Sequence, residues 1–256
     1  MAGLAFITGA SSGLGQALAL RFYQGGYSLA LVARRTAAVE AWARAHQIER
    51  YQIYQADVSI PDDIIAAGQA CLAHQGLPDV VIACAGISIG VDTAERSDID
   101  VISKTFAVNN TGTAASFHPF ITPMRQRRSG ALVGIASVNG IRGFPGHGAN
   151  CPSKAAMISF CECLRTELRG TGVKVVTLCP GYINTPLTQK NAYSMPFLMR
   201  SEDFAEKAFR AIEAGVSYRV IPWQMGWVAK FLRILPNRLF DKLFANRPRK
   251  PRYTVE

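Results

Sequence analysis

The chain has 256 residues, 49% of them hydrophobic and 18% charged, and its 28 Lys and Arg outnumber 18 Asp and Glu for a formal net charge of +10. These proportions supply a sizeable core and exclude a disordered chain, a collagen-like repeat and a disulfide-dense miniprotein. Length allows one large domain or two small ones, and the lack of any run of about eighteen apolar residues excludes a membrane-spanning helix.

The opening Met1-Ala2-Gly3 passes straight into Leu4-Ala5-Phe6-Ile7, without the basic start and apolar stretch of a secretory leader, so a cytoplasmic protein is expected. Short apolar runs predict strands at Leu4–Thr8, Ser28–Ala33, Gln52–Asp57, Asp79–Cys84, Ala131–Ser137, Val173–Cys179 and Tyr218–Ile221. Between them, helical patterns include Leu14–Gln24, Ala37–Gln47, Pro61–Leu77, Cys151–Arg169 and Glu202–Ala214. Continuous apolar strands separated by helices require a parallel sheet covered on both faces, an α/β doubly wound (Rossmann-type) fold. No repeat or composition break precedes residue 220, so residues 1–221 read as one domain and 222–256 as a C-terminal amphipathic basic extension.

Cys71, Cys84, Cys151, Cys161, Cys163 and Cys179 follow no framework spacing and read as reduced thiols. His46, His74, His118 and His147 pair with no carboxylate or thiol at metal-ligand spacing, and no metal site is expected.

Ligands of doubly wound sheets bind beyond the carboxyl ends of the strands. After the first strand, Gly9-Ala10-Ser11-Ser12-Gly13-Leu14-Gly15 opens a helix. Gly9 permits a tight turn, while Gly13 and Gly15 remove the Cβ atoms that would keep a pyrophosphate from the helix N-terminus. The second strand ends at Ala33-Arg34-Arg35, with no acid to meet a ribose 2′-hydroxyl. Arg34 and Arg35 suit a 2′-phosphate instead, favouring NADP(H) over NAD(H); the alternative is a pair of solvated arginines. Asp57-Val58, Ala85-Gly86, Asn109-Asn110-Thr111-Gly112, Ser137, Ser153-Lys154 and Pro180-Gly181-Tyr182-Ile183-Asn184-Thr185 follow in order.

Across about residues 4–221, these motifs taken together resemble the short-chain dehydrogenase/reductase family. The resemblance implies a seven-stranded, mainly parallel sheet in the order 3-2-1-4-5-6-7. It also implies hydride transfer between NADP(H) and a ketone or alcohol. Ser11, Ser12 and Leu14 would join the three glycines around the cofactor. Asp57 would bond the adenine amino group with Val58 beside the ring, and Ala85 and Gly86 would line the cofactor. Ser137 would hold the substrate carbonyl, Lys154 the nicotinamide ribose, and Asn109 a water joining Lys154 to solvent. Pro180 and Gly181 begin the loop whose Ile183 and Thr185 would face the carboxamide. Leu187 to Arg200, with Tyr193, Met195, Phe197, Leu198 and Met199, would form a mobile lid over a hydrophobic, lipid-like substrate. Family members often dimerise through the helices holding Asn109 and Lys154, so a homodimer is expected.

One departure stands out. The family's acid/base is the tyrosine of Tyr-x-x-x-Lys, and the place four residues before Lys154 holds Asn150. An amide donates a hydrogen bond but is no general acid near neutral pH. Tyr182, Cys151 and His147 stand nearby, but none has that helical relation to Lys154, and they read as lid, helix-start and loop residues. Three accounts fit, in order of preference. The first is a working reductase whose tyrosine was deliberately replaced to give an inactive form. The second is a protein that binds or senses NADP(H), or serves interactions, without catalysis. The third is an enzyme rewired around another proton source.

The charge concentrates at the end: from Arg219 to Arg252, nine Lys and Arg face the lone acid Asp241. Trp227, Phe231, Leu235, Leu239 and Leu243 recur at helical spacing, with Lys230, Arg233, Arg238 and Lys242 largely outside that stripe. Pro236 divides the stretch into two short helices. The pattern fits a helix lying peripherally on a membrane surface, or one packed on its own domain or a dimer partner; nucleic acid is the least favoured partner.

Overall fold

The computed structural model of the protein describes residues 3–189, 194–246 and 248–252. Its strands are β1 (Leu4–Thr8), β2 (Ser28–Ala33), β3 (Tyr51–Gln55), β4 (Val80–Ala83), β5 (Gly130–Ile135), β6 (Val173–Pro180), a two-residue pair β7 (Ile183–Asn184) and β8 (Met199–Arg200), and β9 (Tyr218–Ile221). Its helices are α1 (Gly13–Gln24), α2 (Thr36–Ala45), α3 (Pro61–His74), α4 (Arg96–Phe106), α5 (Gly112–Arg127), α6 (Asn150–Glu167), α7 (Ser201–Glu213), α8 (Trp223–Ile234) and α9 (Asn237–Phe244).

The main sheet runs β3-β2-β1-β4-β5-β6-β9 with every neighbouring pair parallel. Strands of such a sheet are buried on both faces, and alternate side chains feed two cores. Ala5, Ile7, Leu29 and Leu31 pack on one side with Leu18 and Phe22 of α1, Trp42 of α2 and Phe204 of α7. Phe6, Ala30 and Val32 point to the other, against Ile64 of α3, Phe117 and Phe120 of α5 and Met157 of α6. The chain leaves β1 for β2 on one side and takes β4 on the other, which opens a crevice at the carboxyl ends of β1 and β4.

The helical run from Arg96 to Arg127 escaped the sequence patterns. Its α4 passes through a π-helical turn, Ala107–Thr111, directly into α5. Pro119 and Pro123 lie inside α5, where each removes a backbone donor and disrupts the helical signal. Packing compensates: the Pro119 ring lies so close to Gly68 of α3 that a Cβ there would come within 2.6 Å of its Cγ.

The C-terminal residues fold back over the sheet's end. Met225 and Ala229 of α8 pack against Val138, Ile141, Tyr182 and Val220. Arg142 closes α8 from outside, donating through Nη1 to the Leu232, Arg233 and Leu235 carbonyls at 2.9 Å each. A cation at the carbonyl end of a helix opposes its dipole and satisfies its orphan acceptors. Phe240 turns inward beside Phe144 and stacks on Phe244 at 4.5 Å. Trp223, Trp227, Phe231, Ile234, Leu239 and Leu243 remain exposed, Ile234 by 77%. Beyond α9, residues 248–252 run as an extended strap across the loops after β4 and β5. Among the described residues, no helix is long and apolar enough to cross a membrane.

Candidate active site

The turn between β1 and α1 is shaped by backbone contacts. Gly9 adopts φ +73°, and a Cβ there would stand 2.9 Å from the Ala85 backbone. Thr8 Oγ1 ties the two strand ends together by accepting from the Cys84 and Ala85 N–H groups at 3.1 Å. A Cβ at Gly15 would collide with the Gly9 carbonyl. The glycines thus let α1 begin directly beyond the carboxyl end of β1, its N-terminus towards the crevice.

At the end of β2, Arg34 Nη1 lies 3.4 Å from Asp57 Oδ2, with the arginine side chain 62% exposed. A pair this open to water is worth at most about 1 kcal/mol, so Arg34 stays free to meet a stronger anion. Burial pushes the Asp57 carboxyl up, but the Ser59 N–H and hydroxyl on Oδ1, at 2.9 and 2.7 Å, together with Arg34 bring it below its ordinary value.

The far side of the crevice is built by β5, the π turn and α6. Asn109, at the centre of the π turn, is fully buried. Its Oδ1 accepts from the Ile87 N–H at 2.9 Å, while Nδ2 donates to the Ile87 carbonyl and to Ser153 Oγ at 3.0 Å each. Those bonds lock the loop after β4 to α6. Lys154 sits one turn into α6 and donates to the Ile135 carbonyl at 2.8 Å. Burial lowers its pKa, with the thiols of Cys84, Cys179 and Cys161 acting the other way. Ser137 Oγ accepts from the Asn139 N–H at 3.2 Å. Asn150 occupies the first position of α6 and is buried.

One cavity of about 380 Å³ collects these parts. Gly9, Ser11, Ser12, Gly13, Leu14 and Gly15 line one wall, and Arg34, Arg35, Asp57 and Val58 line its far end. Ala85, Gly86, Ser137, Asn150 and Lys154 meet Pro180, Gly181, Ile183 and Thr185 at the other end. Every cofactor-binding and catalytic residue expected from the sequence borders it except Asn109, which stands behind the wall.

Of the expected lid, Leu187 and Thr188 border this cavity. Phe197, Leu198 and Met199 line a separate groove with Pro222 and Trp223. Tyr193 lies outside the described residues. The base of the loop is closed by the β7–β8 pairing and by the Met199 N–H on the Tyr182 carbonyl at 3.0 Å.

Sequence reasoning missed Lys250. It is buried and borders the same cavity as Asn150 and Lys154. Its signal was weak: Pro248 and Pro251 flank it and favour an extended backbone, but nothing in the spacing says where that backbone docks. Among the described residues, no cluster of His, Cys, Asp and Glu is placed to hold a metal ion, and all six cysteines are free thiols.

A family model described as short chain dehydrogenase matches residues 3–195. An uncharacterized oxidoreductase of Myxococcus xanthus is 36% identical over 239 residues, covering 93% of this chain and 94% of its own. The 3-ketoacyl-(acyl-carrier-protein) reductase from Brucella melitensis, solved in complex with NADH, superposes with a TM-score of 0.78 at 26% identity, over 86% of this chain and 96% of its own. A short chain dehydrogenase/reductase from Burkholderia phymatum, solved with NAD, gives 0.82 at 22% identity over 99% and 98%, a likeness of fold. By its sheet order, its glycine turn and the family match over most of its length, this chain belongs to the short-chain dehydrogenase family.

Proposed function

We propose that this chain is an NADP(H)-dependent oxidoreductase acting on an apolar, lipid-like ketone or alcohol, working without its family's tyrosine and therefore slowly. The observation that carries the reading is the single cavity joining a glycine-lined helix N-terminus, an arginine pair and the Ser137–Lys154 end. The Brucella relative, solved with NADH, supports a nicotinamide cofactor. Arg34 and Arg35, with no acid at that strand end, support the phosphorylated form.

The cavity's own shape fits such a group. A Cβ at Gly86 would project to 3.2 Å from Asn109 Oδ1 and 3.7 Å from Lys154 Nζ, so glycine leaves room where the nicotinamide ribose would meet Lys154. The α1 N-terminus would hold the pyrophosphate, and Asp57 the adenine. When bound, the reduced cofactor supplies hydride. Ser137 would donate a hydrogen bond to the substrate carbonyl oxygen, and Asn150 would add an amide donor. Both polarise the carbonyl, yet neither delivers a proton at neutral pH. Loss of a general acid costs about 10²–10⁴ in rate.

NADPH and NADH titrations, followed by turnover over a panel of apolar ketones and aldehydes, test this directly. Asn150 itself favours a second reading, a protein that registers NADP(H) without turnover. That reading requires tight NADPH binding and no reaction even after Asn150→Tyr.

We also propose that the exposed Trp223, Trp227, Phe231 and Ile234 rest on an anionic lipid surface, with Lys230, Arg233, Arg238 and Lys242 supplying the complementary charge. A cytoplasmic enzyme resting there would meet an apolar substrate at its source. A homodimer through the helices holding Asn109 and Lys154, the α4–α5 run and α6, completes the proposal. Sedimentation of the full chain with anionic and with neutral vesicles separates lipid binding from dimerisation, which mass in solution reads instead.

A further inference from the structure

We propose that Lys250 is the proton donor and acceptor of this site, serving the substrate oxygen where Asn150 stands in place of the family's tyrosine. The inference rests on the oxidoreductase reading above and names the residue that reading lacks.

The strap carrying Lys250 is fixed on both sides. The Gly90 N–H donates to the Pro251 carbonyl at 3.0 Å, and a Cβ at Gly90 would collide with the Lys250 carbonyl. A Cβ at Gly146 would lie 3.1 Å from the Lys250 nitrogen. On either side, Arg249 pairs with Asp92 at 2.9 Å and Arg252 with Asp98 at 2.7 Å. The acids nearest the strap are thus spent on the arginines flanking Lys250. A lysine is rarely 8% exposed without a carboxylate partner, and this one borders the cavity, with Cys151 and His147 as its electrostatic neighbours.

Its neighbours do not compete for the role. Cys151 and His147 line another groove, beside Phe144 and Ala155. Burial pushes the Cys151 thiol up to about 11 and the Tyr182 hydroxyl upward as well. Lys104 and Lys154 share the cavity, and Lys154 is directed to the Ile135 carbonyl. Burial lowers the Lys250 ammonium to about 8, the Cys151 thiol acting weakly the other way. An amine of that strength is present in both forms near neutrality, as a general acid and base requires.

In reduction, the carbonyl carbon accepts hydride, with its two electrons, from a reduced nicotinamide. One N–H bond of the Lys250 ammonium breaks as the new O–H bond of the alcohol forms. Lys250 is left as a neutral amine and is reprotonated from solvent. Oxidation runs the same transfers backwards.

The test uses the full chain, its Lys250→Met and Lys250→Arg variants, and the same changes combined with Asn150→Tyr. Two readouts are taken: turnover of NADPH with an apolar ketone against pH, and the pH dependence of Lys250 acetylation by acetic anhydride, read by mass spectrometry. Lys250→Met and Lys250→Arg are expected to lower kcat about 10²-fold in the Asn150 chain, with NADPH affinity retained. The loss shrinks to below about 10-fold in the Asn150→Tyr background, where a phenol supplies the proton. Lys250 should acetylate with a midpoint near 8, in step with kcat. Unchanged or faster turnover in Lys250→Met would overturn the proposal and mark the strap as an obstruction. So would an acetylation midpoint at the ordinary lysine value. Activity confined to Asn150→Tyr sinks the Lys250 role alone, whereas inactivity of both forms with NADPH bound sinks the reductase reading beneath it.

Discussion

Asn150 and Lys250, far apart in the chain, border the same cavity: one begins α6 and the other arrives on the C-terminal strap. The family position for proton transfer therefore holds an amide, and a buried lysine from elsewhere in the chain borders the same cavity. The strap is joined to the body through Gly90, Gly146, Asp92 and Asp98, so anything that loosens those four contacts also moves Lys250.

Gly90→Val tests that attachment. A side chain there has no room beside the Lys250 carbonyl, and the strap is expected to lift without unfolding the sheet. Limited proteolysis should cut near residues 248–252 at least several-fold faster than in the parent, while the thermal midpoint of the body shifts little. Equal cleavage rates would mean the strap is held by other contacts.

Strap docking should also strengthen as pH rises, through two groups that act in separate pH ranges. Lys250 has its pKa lowered on docking, from 10.5 to about 8. The released strap therefore binds the extra proton between those values, and docking strengthens as pH rises from about 8 towards about 10.5. Asp98 is held low first by the Asp92 N–H and then by Arg252; only the Arg252 part depends on the strap, and that part is lost as pH falls through the lowered value. Hydrogen exchange at the Gly90 amide measures both limbs, and its ratio to that of a Lys250→Met variant isolates the alkaline one. A ratio flat across the alkaline range contradicts the Lys250 assignment.

Arg34→Ala with Arg35→Ala should weaken NADPH binding about 10²- to 10⁴-fold, since charge-assisted hydrogen bonds contribute about 1.5–3 kcal/mol each. NADH affinity should change little. Fluorescence titration of both cofactors distinguishes this from a general defect, in which the two affinities would fall together.

Gly9→Ala should cost about 1–3 kcal/mol from its left-handed backbone alone, before the clash with Ala85. We expect a lower unfolding midpoint and loss of cofactor binding. A variant of parental stability that binds NADPH normally would show that the turn is looser than its contacts indicate.

Much of the fold was legible in the amino-acid order. Strands such as Leu4–Thr8 and Ser28–Ala33 declare themselves because both faces are buried and the apolar run is unbroken. The cofactor end was legible for a related reason: glycines and arginines at strand ends carry their chemistry locally. The Arg96–Arg127 run was legible only through the resemblance, which puts Asn109 on a helix; in α5, Pro119 and Pro123 write a helix-breaking pattern that packing on Gly68 offsets. The tail divided at Pro236 as its sequence indicated, but Phe240 and Met225 turned inward while Trp227 and Phe231 stayed outside. Lys250 was the least legible, since a basic residue between prolines looks solvated until the surface that buries it is known. Phe197 and Leu198, expected in the lid, line a groove beside Trp223.

The central claim, a reductase working without its tyrosine, is tested most directly by NADPH consumption with apolar ketones in this chain and in Asn150→Tyr. The account predicts slow turnover by the Asn150 chain and an increase of about 10- to 100-fold in the tyrosine form, the part of the general-acid effect that Lys250 does not already supply, both preferring NADPH to NADH. Tight NADPH binding with no turnover in either form would contradict it and leave a protein that senses the cofactor.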